Sequence, residues 1–573
     1  MPGLLKNAPV SDAQRRANDT HRPSVVLAVL AVLAAYLYLF TLAADPLGMP
    51  LPEDLAERAG VEGMGRVFDS DRNVESAMGI RLTDRFESSD DERMVFLLVL
   101  AAAFLCAYFL PVRHKQPALV GWAAVAILLL YGPAATAGLL AAHLGVHAVL
   151  HPDRARGPTL AGLAALLAWG AFLLDPEDPE RLWLAAALPL GAAAGYRFGL
   201  LPLLARPRIA PLLRTLVVQS AIVTVGVSAL VEGAGGGEWR LPLGLLLFFW
   251  QWERLMMYHV DYKDGLVPRD LGLAPYLAVF WNPGVIPNWN WGVTIGQGYA
   301  YCQSGFLAED KNKLVLGGVK LLLIAMLYLA FWQWARHLLV ELFSGLGVDV
   351  HRAYTKDLVR HFTRGGEVTT LSVLCTTFLD LVRWTMLWAG IVHFKVGVWR
   401  ICGYRMDPYI HRPWASTNLT TLWSRFTYHY REFLVRCFYY PVFLRFFKKN
   451  RYLRVFVATL AAAGFGNLVW GHVTERLFYR GMEWEHVLWV MATWPYFVLL
   501  GVGIGLSHVY LLWRKRRRRP WTWDRWIWTD VLAAYATLQF YALIHIFARP
   551  HRDSTTGDLF RLFLKGFGID VSG

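Results

Sequence analysis

The stretch that decides the fold runs from His411 to Phe447 and reads "HRPWASTNLTTLWSRFTYHYREFLVRCFYYPVFLRFF". Aromatic and aliphatic side chains dominate it. It also carries charged and imidazole groups, namely Arg412, Arg425, His429, Arg431, Glu432 and Arg436. Such groups are costly in lipid, so within a membrane protein they usually face the protein interior or a water-filled cavity. Whether these groups indicate an interior cavity therefore depends on whether the chain is a membrane protein.

The composition of the whole chain indicates an integral membrane protein. Apolar residues make up 55% of the 573 positions and charged residues only 17%, whereas soluble domains are typically about 25% charged. Apolar runs long enough to cross the hydrocarbon core as helices recur from Ser24 to Phe547. We expect an all-α polytopic protein with about 11–13 spans. Hydropathy places the candidates at 24–44, 94–111, 117–132, 134–150, 159–174, 182–199, 214–231, 241–260, 313–340, 367–397, 453–473, 485–512 and 526–547.

The charges that flank these spans favour one orientation. Basic segments such as "RHK" at 113–115 and "KKNRYLR" at 448–454 fall on one side, and the acid-rich loop 45–92 falls on the other. Because Lys and Arg favour the cytoplasmic side, we predict a cytoplasmic N-terminus and an outer C-terminus. The net charge of +14 is spread over such short loops, which argues against nucleic-acid binding. The run Arg514–Arg519 is either a stop signal that touches anionic lipid or a basic rim that concentrates an anionic donor.

The distribution of residue types along the chain divides it into three parts. Residues 1–235 are rich in Ala, Leu and Gly and are predicted to form scaffold helices, with an extracytoplasmic loop at 45–92. Residues 236–512 carry Trp, Tyr, His and Arg inside apolar runs and are predicted to form the functional core, and 513–573 hold a basic loop, a last span and a tail. Within 241–304, closely spaced prolines predict a broken helix, read as a re-entrant element or as an aromatic belt at the bilayer surface.

The opening stretch resembles the signature of the membrane-bound O-acyltransferase (MBOAT) superfamily, as found in bacterial polysaccharide and cell-wall O-acyltransferases. In that family an Arg-Pro pair precedes a Trp-x-Arg-Trp run, which is followed by a helix and a Tyr-x-Pro. The matching positions, without a gap, are Arg412, Pro413, Trp423, Arg425, Phe433, Leu434, Tyr439 and Pro441. A second family landmark is a histidine near the end of the next span, matched here by His472 in "GFGNLVWGHVTERL". The upstream "YHVD" is similar to the family's Tyr-x-x-Asp, with Tyr258 and Asp261 at the matching places.

Acyl transfer from a thioester to a hydroxyl needs a base and a group that stabilises the developing oxyanion. Imidazole suits the first role, and His472 is the expected general base, with Glu475 one turn later placed to orient its ring. Hydrogen-bond donors for the oxyanion would be Thr427, Asn418 or His429. Thr427 stands where the family often has Asn, Asp or His, and threonine can donate and accept a hydrogen bond although it is no base.

The arginines of the stretch have two readings, which do not exclude each other. Arg412, Arg425 and Arg436 would contact the phosphates of a coenzyme A donor, with Trp423 and Asp261 among the binding residues that the resemblance implies. Alternatively, the arginines extend to the bilayer interface or pair with Glu432 and Asp407. The seven- and eleven-residue separations of Arg425 from Glu432 and Arg436 predict one shared helix face. His545, in the last span, is expected to be structural.

The resemblance implies that the chain moves an acyl group, most simply acetyl, from cytosolic acyl-CoA or an acyl carrier to a hydroxyl of an envelope glycan or lipid, without a metal. Membrane lipid and a protein that presents the acceptor are the expected partners, in a bacterial inner membrane. The competing hypothesis is a non-catalytic transporter or scaffold, motivated by Thr427 and by the spacing of Trp470 and His472. Transporters commonly contain an internal repeat, and the sequence shows none.

Overall fold

A computed structural model describes most of the chain. The described residues are 18, 20–37, 89–152, 253–282, 295–307, 309–474, 492–516, 527–550 and 554–571. Three predicted spans, 159–174, 182–199 and 214–231, lie outside them, as do the predicted boundary at 235 and residue Glu475.

The described residues are helical, apart from turns and one isolated bridge between Phe306 and Tyr404. This confirms the all-α class. The α-helices are α1 (Pro23–Leu37), α2 (Ser89–Phe109), α3 (Val112–Leu150), α4 (Glu253–Lys263), α5 (Leu273–Phe280), α6 (Tyr299–Gly305), α7 (Lys311–Gly345), α8 (Thr355–Thr363), α9 (Thr370–Ile401), α10 (Leu419–Phe426), α11 (Tyr428–Leu434), α12 (Tyr440–Arg445), α13 (Arg451–Thr459), α14 (Trp494–Arg516), α15 (Ile527–Ile544) and α16 (Thr556–Lys565). Two π-helical segments, Val435–Tyr439 and Leu460–Thr474, interrupt this series.

Within the described part of the chain, 4 helical segments are long and apolar enough to cross a membrane. They are Thr370–Ile401, Arg451–Val469, Trp494–Arg514 and Thr529–Ala548. Hydropathy predicts all four, at 367–397, 453–473, 485–512 and 526–547, because each combines a long apolar run with few charges. Shorter apolar helices cover Pro23–Leu37 and Met94–Phe109, inside two further predicted spans. The chain is therefore compatible with a membrane protein.

One pair of predicted spans is corrected. Residues 117–132 and 134–150 do not form two helices with a turn between them, because α3 runs without a break through 39 residues. The boundary between the two hydropathy spans falls at Pro133, yet proline is tolerated within helices that neighbouring helices support. At 1.5 Å per residue α3 is roughly 58 Å long, more than the thickness of a hydrocarbon core.

The described residues form two compact units. The first contains α1 to α6, the start of α7 up to Lys320, and Gly397–Met406 at the end of α9. In it, α2 packs against α1 and α3, and α5 packs against α3 and α6. In the described residues 253–282, the chain breaks between Lys263 and Leu273, and Pro275 lies in the first turn of α5, in agreement with the predicted broken helix. Pro283 and Pro287 lie outside the described residues.

The second unit contains Leu321–Val396 and the described chain from Asp407 onward. Its hydrophobic core is built by α8, α9, α10, α14, α15 and α16. Leu422 and Phe426 place the opening stretch in this core, beside Phe497 and Ile504 of α14. The α10 part of the quoted stretch therefore belongs to the core of the second unit, whereas the segment from Val435 to Arg445 contributes no buried residue.

Candidate functional site

The stretch from His411 to Phe447 is a chain of short helices, and each helix begins and ends for a local reason. Arg412 has a left-handed backbone with φ of 47° and precedes a 3₁₀ turn at Pro413–Ala415. The side chain of Asn418 caps α10 by accepting a hydrogen bond from the Thr421 N–H at 2.9 Å. α10 ends at Thr427, whose φ of −140° and ψ of 57° are not helical, and α11 begins at the next residue.

These breaks overturn the expectation of a shared helix face. Arg425 lies in α10, Glu432 in α11 and Arg436 in the π-helical segment Val435–Tyr439. Because the backbone turns at Thr427 and the helical period changes after Leu434, separations of seven and eleven residues no longer place side chains on one face. The interruption is not visible in the sequence, because no residue between Leu419 and Tyr440 is Gly or Pro.

The arginines of the stretch take different roles. Arg425 donates to the carbonyl oxygen of Ala415 at 2.8 Å, which ties the 3₁₀ turn to the end of α10. Arg431 pairs with Glu432, as the structural reading expected. Arg412 is exposed and Arg436 is half-buried. Trp423 packs against the hydrophobic core of the second unit.

Thr427, at the break between α10 and α11, has a buried hydroxyl. Its Oγ1 has no hydrogen-bond partner among the residues that the structure describes. Ser416, fully buried just before α10, is in the same situation. A buried hydroxyl without a partner costs roughly 1–3 kcal/mol, so such groups call for an explanation. Sequence reasoning singled out Thr427 but missed Ser416, since only burial distinguishes it from the other hydroxyls nearby.

His429 and Asn418 are engaged in holding the fold. The imidazole of His429 is fully buried, and its Nε2 donates to the carbonyl oxygen of Asp407 at 2.8 Å. Its ring lies against those of Tyr409 and Tyr428, at 5.5 and 5.0 Å between centroids. Asn418 uses its Oδ1 for the cap of α10. Among the three expected oxyanion donors, His429 already uses its Nε2 donor, and the cap of α10 occupies only the acceptor oxygen of Asn418. The Thr427 hydroxyl has no partner in the described chain.

The helix that carries His472 packs directly against the opening stretch. His472 lies in the π-helical segment Leu460–Thr474, which contacts α11 and the π-helical segment Val435–Tyr439. One close approach is at Gly466, where a Cβ atom would lie 2.8 Å from Cγ of Phe438. The side chain of His472 lies outside the described part, but its backbone belongs to a segment in contact with the stretch. π-Helical turns occur frequently at functional sites.

Asp261 belongs to the first unit, where it has a structural partner. It is fully buried, and its Oδ2 accepts a hydrogen bond from the Ala300 N–H at 2.9 Å, in the first turn of α6. A Cβ on Gly298 would lie 2.2 Å from the same oxygen. The nearby Tyr258 hydroxyl lies 2.7 Å from Nε2 of His151. The Tyr-x-x-Asp pattern thus joins α4 to both α6 and the end of α3.

A row of three histidines in the first unit escaped the sequence reasoning. His143, His147 and His151 are four residues apart at the end of α3 and are all buried. His147 Nε2 donates to the Leu271 carbonyl oxygen at 3.0 Å, and His151 Nδ1 lies 3.1 Å from the carbonyl oxygen of Arg269. The row therefore fastens the loop before α5 to α3. The spacing of four residues is the signal that could have revealed it.

Comparison of the chain with protein-family models found no match, and comparison with curated proteins found none either. The resemblance to membrane-bound O-acyltransferases therefore rests on the quoted residues.

Proposed function

We propose that this chain is a membrane-embedded O-acyltransferase. It moves an acyl group, most simply acetyl, from a cytosolic thioester donor such as acyl-CoA to a hydroxyl of an envelope glycan or lipid. The observation that carries the proposal is the packing of the Arg-Pro to Tyr-x-Pro stretch on the segment that contains His472. The buried Thr427 hydroxyl, without a partner in the described chain, supports it.

The proposed reaction assigns one role to each group. His472 takes the proton of the acceptor hydroxyl as its oxygen attacks the thioester carbonyl carbon. The hydroxyl of Thr427 donates to the oxyanion that forms there. Collapse of the tetrahedral intermediate breaks the carbon–sulfur bond, and the thiolate leaves with the proton that His472 accepted. Arg412 and Arg436 bind donor phosphates in this scheme, because a guanidinium group makes bidentate contacts with phosphate.

A substitution at Thr427 separates this role from a structural one. Thr427→Val removes the hydroxyl and keeps the shape, so the free energy of unfolding stays equal or rises, because a poorly satisfied buried group is lost. Transfer from labelled acetyl-CoA falls by about 10²–10³, the usual cost of one oxyanion donor. Thr420→Val is the matched control. The Thr420 hydroxyl donates to the Ile504 carbonyl oxygen at 3.2 Å, so its loss lowers stability and leaves transfer intact.

The assay uses purified full-length protein, labelled acetyl-CoA and candidate glycans. If Thr427→Val transfers the label as fast as the wild type, Thr427 is not the oxyanion donor. If the wild type binds and turns over no acyl donor, the enzyme proposal is wrong, and the transporter or scaffold hypothesis gains.

A further inference from the structure

The second unit contains a basic pocket. Its residues belong to the part of the chain that connects α7 to α9, which precedes the opening stretch in sequence. Its volume is about 480 Å³. It is formed by the 3₁₀ turn His351–Ala353, by α8 and by the turn that follows α8. Its walls are His351, Arg352, Asp357, Arg360, His361, Arg364 and Gly366.

The backbone of one wall is held in an unfavourable conformation. His351, Arg352 and Ala353 have φ values of 44°, 56° and 57°, in the left-handed region that costs residues other than Gly about 1–2 kcal/mol each. A run of three such residues directs His351 inward, where its side chain is only 8% exposed. Conformations of this kind cluster at ligand-binding sites, so the turn points to a function for this wall.

The opposite wall depends on two glycines. Gly365 ends α8 with φ of 81°, and Gly366 returns a hydrogen bond to the His361 carbonyl oxygen at 3.0 Å, the arrangement typical of helix C-termini. A Cβ on Gly366 would lie 2.2 Å from Nε2 of His361. The imidazole therefore rests directly on the Gly366 backbone. The rings of His351 and His361 face each other at 4.9 Å between centroids.

The pocket has an excess of positive charge. Arg352, Arg360 and Arg364 contribute three guanidinium groups, against the single carboxylate of Asp357 in the wall. Within the described part of the chain, none of these three guanidinium groups forms an ion pair. Asp349 lies nearby, with its Oδ2 3.7 Å from Nδ1 of His351, but its side chain is 72% exposed. Three unpaired, closely spaced guanidinium groups favour an oxyanion, and Arg matches phosphate geometry with bidentate contacts.

The surroundings of the pocket place it beside an apolar surface. At the end of α7 and just beyond it, Leu338, Leu342 and Leu346 are 59%, 56% and 69% exposed. α8 packs against α16, after which Phe567 and Ile569 are also exposed. Exposed apolar side chains of this kind suit a bilayer. The turn that forms one wall of the pocket is tied to α7, because Ala353 packs in one cluster with Leu339, Val340 and Phe343. Lipid phosphates lie at the boundary between the hydrocarbon core and water, so a lipid headgroup is one candidate source of the ligand.

We propose that this pocket is a binding site for a phosphoryl group, presented either by a lipid headgroup at the membrane surface or by a soluble phosphate compound. The assignment stands apart from acyl transfer, because none of its residues belongs to the opening stretch or to the segment of His472.

The experiment measures ligand binding to the purified full-length protein in detergent. The probes are dioctanoyl phosphatidic acid, inorganic phosphate and, as the phosphate-free control, dioctanoylglycerol. The test variant is Arg360→Gln with Arg364→Gln. The matched control is Lys356→Gln, which removes a positive charge from the same helix outside the pocket wall. We expect the double variant to bind phosphatidic acid or phosphate at least tenfold more weakly, and Lys356→Gln to bind within twofold of the wild type.

The relative affinities of the three probes identify the source of the phosphoryl group. Tight binding of phosphatidic acid with weak binding of phosphate assigns a lipid, and equal binding assigns a soluble ligand. Arg352→Asn removes one charge while asparagine tolerates the left-handed backbone, so it tests the pocket if the double variant fails to fold. Failure of both phosphate probes to bind, binding of dioctanoylglycerol as tight as that of phosphatidic acid, or an equal loss in Lys356→Gln overturns the proposal.

Discussion

The contact between Gly466 and Phe438 joins the opening stretch to the segment of His472, and a single methyl group tests it. In Gly466→Ala the new Cβ would lie 2.8 Å from Cγ of Phe438 and 3.0 Å from both Cδ atoms, whereas carbon atoms pack at about 3.5–4.0 Å. The distance between the new methyl group and the Phe438 ring is therefore roughly 0.7 Å too short, and the rigid ring must move as a whole to relieve the clash. Overpacking of this kind costs about 1–3 kcal/mol. For a unit of this size that lowers the unfolding midpoint by roughly 2–12 °C.

The assay is a thermal unfolding series in detergent, with a double-mutant cycle. Phe438→Ala removes the ring that the methyl group strikes, so the double variant should be about 1–2 kcal/mol more stable than the sum of the single effects. Gly121→Ala is the matched control, because a Cβ there meets nothing within 4 Å and should stabilise α3 by about 0.5–1 kcal/mol. If Gly466→Ala unfolds at the wild-type temperature, or if the two effects simply add, the two segments do not pack as described.

Three further predictions concern the buried polar groups. Gly298→Ala should unfold the first unit at lower temperature, because its Cβ would strike Asp261 Oδ2 and, at 2.8 Å, a backbone carbonyl oxygen; unchanged melting would contradict this. Arg383→Leu should cost about 3–5 kcal/mol, since it leaves the carboxylate of Asp380, now 2.7 Å from the guanidinium, buried without that partner. Burial lowers the pKa of His351, so the ring is neutral near pH 7 and gains its proton only in acid. Sulfate, whose charge is constant over this range, should therefore bind the basic pocket more tightly in acid than at pH 7.5. His361 lines the same pocket, so a pH dependence that is unchanged in His351→Asn would refute the role of the His351 ring.

The parts of the fold that the sequence predicted are those that a local pattern dictates. The spans at 370–401 and 494–514 follow from long apolar runs with few charges, and the broken helix after Glu253 follows from the conformational restriction that proline imposes. The long α3 was missed because the boundary between two hydropathy spans falls at Pro133, and packing overrides the preference of proline for helix ends. The break at Thr427 was missed because the sequence around it contains no Gly or Pro, the residues that usually interrupt a helix.

The roles of the candidate site residues could be predicted only in part from the sequence. The motif located the opening stretch, yet only the fold reveals that His429 and Asn418 already serve the backbone while the hydroxyl of Thr427 does not. The basic pocket could not be predicted from spacing, because a left-handed turn at Arg352 and the glycines after α8 bring its cations together. The row from His143 to His151 could have been found, since a separation of four residues places side chains on one helix face.

The measurement that tests the central proposal most directly is transfer of label from acetyl-CoA by the full-length protein and by His472→Ala, with matched expression and unfolding midpoint. Loss of a general base predicts a rate lower by about 10²–10⁴, with the donor still bound. Transfer by His472→Ala at the wild-type rate would contradict the account of this residue. A wild-type protein that neither binds nor uses an acyl donor would contradict the function itself.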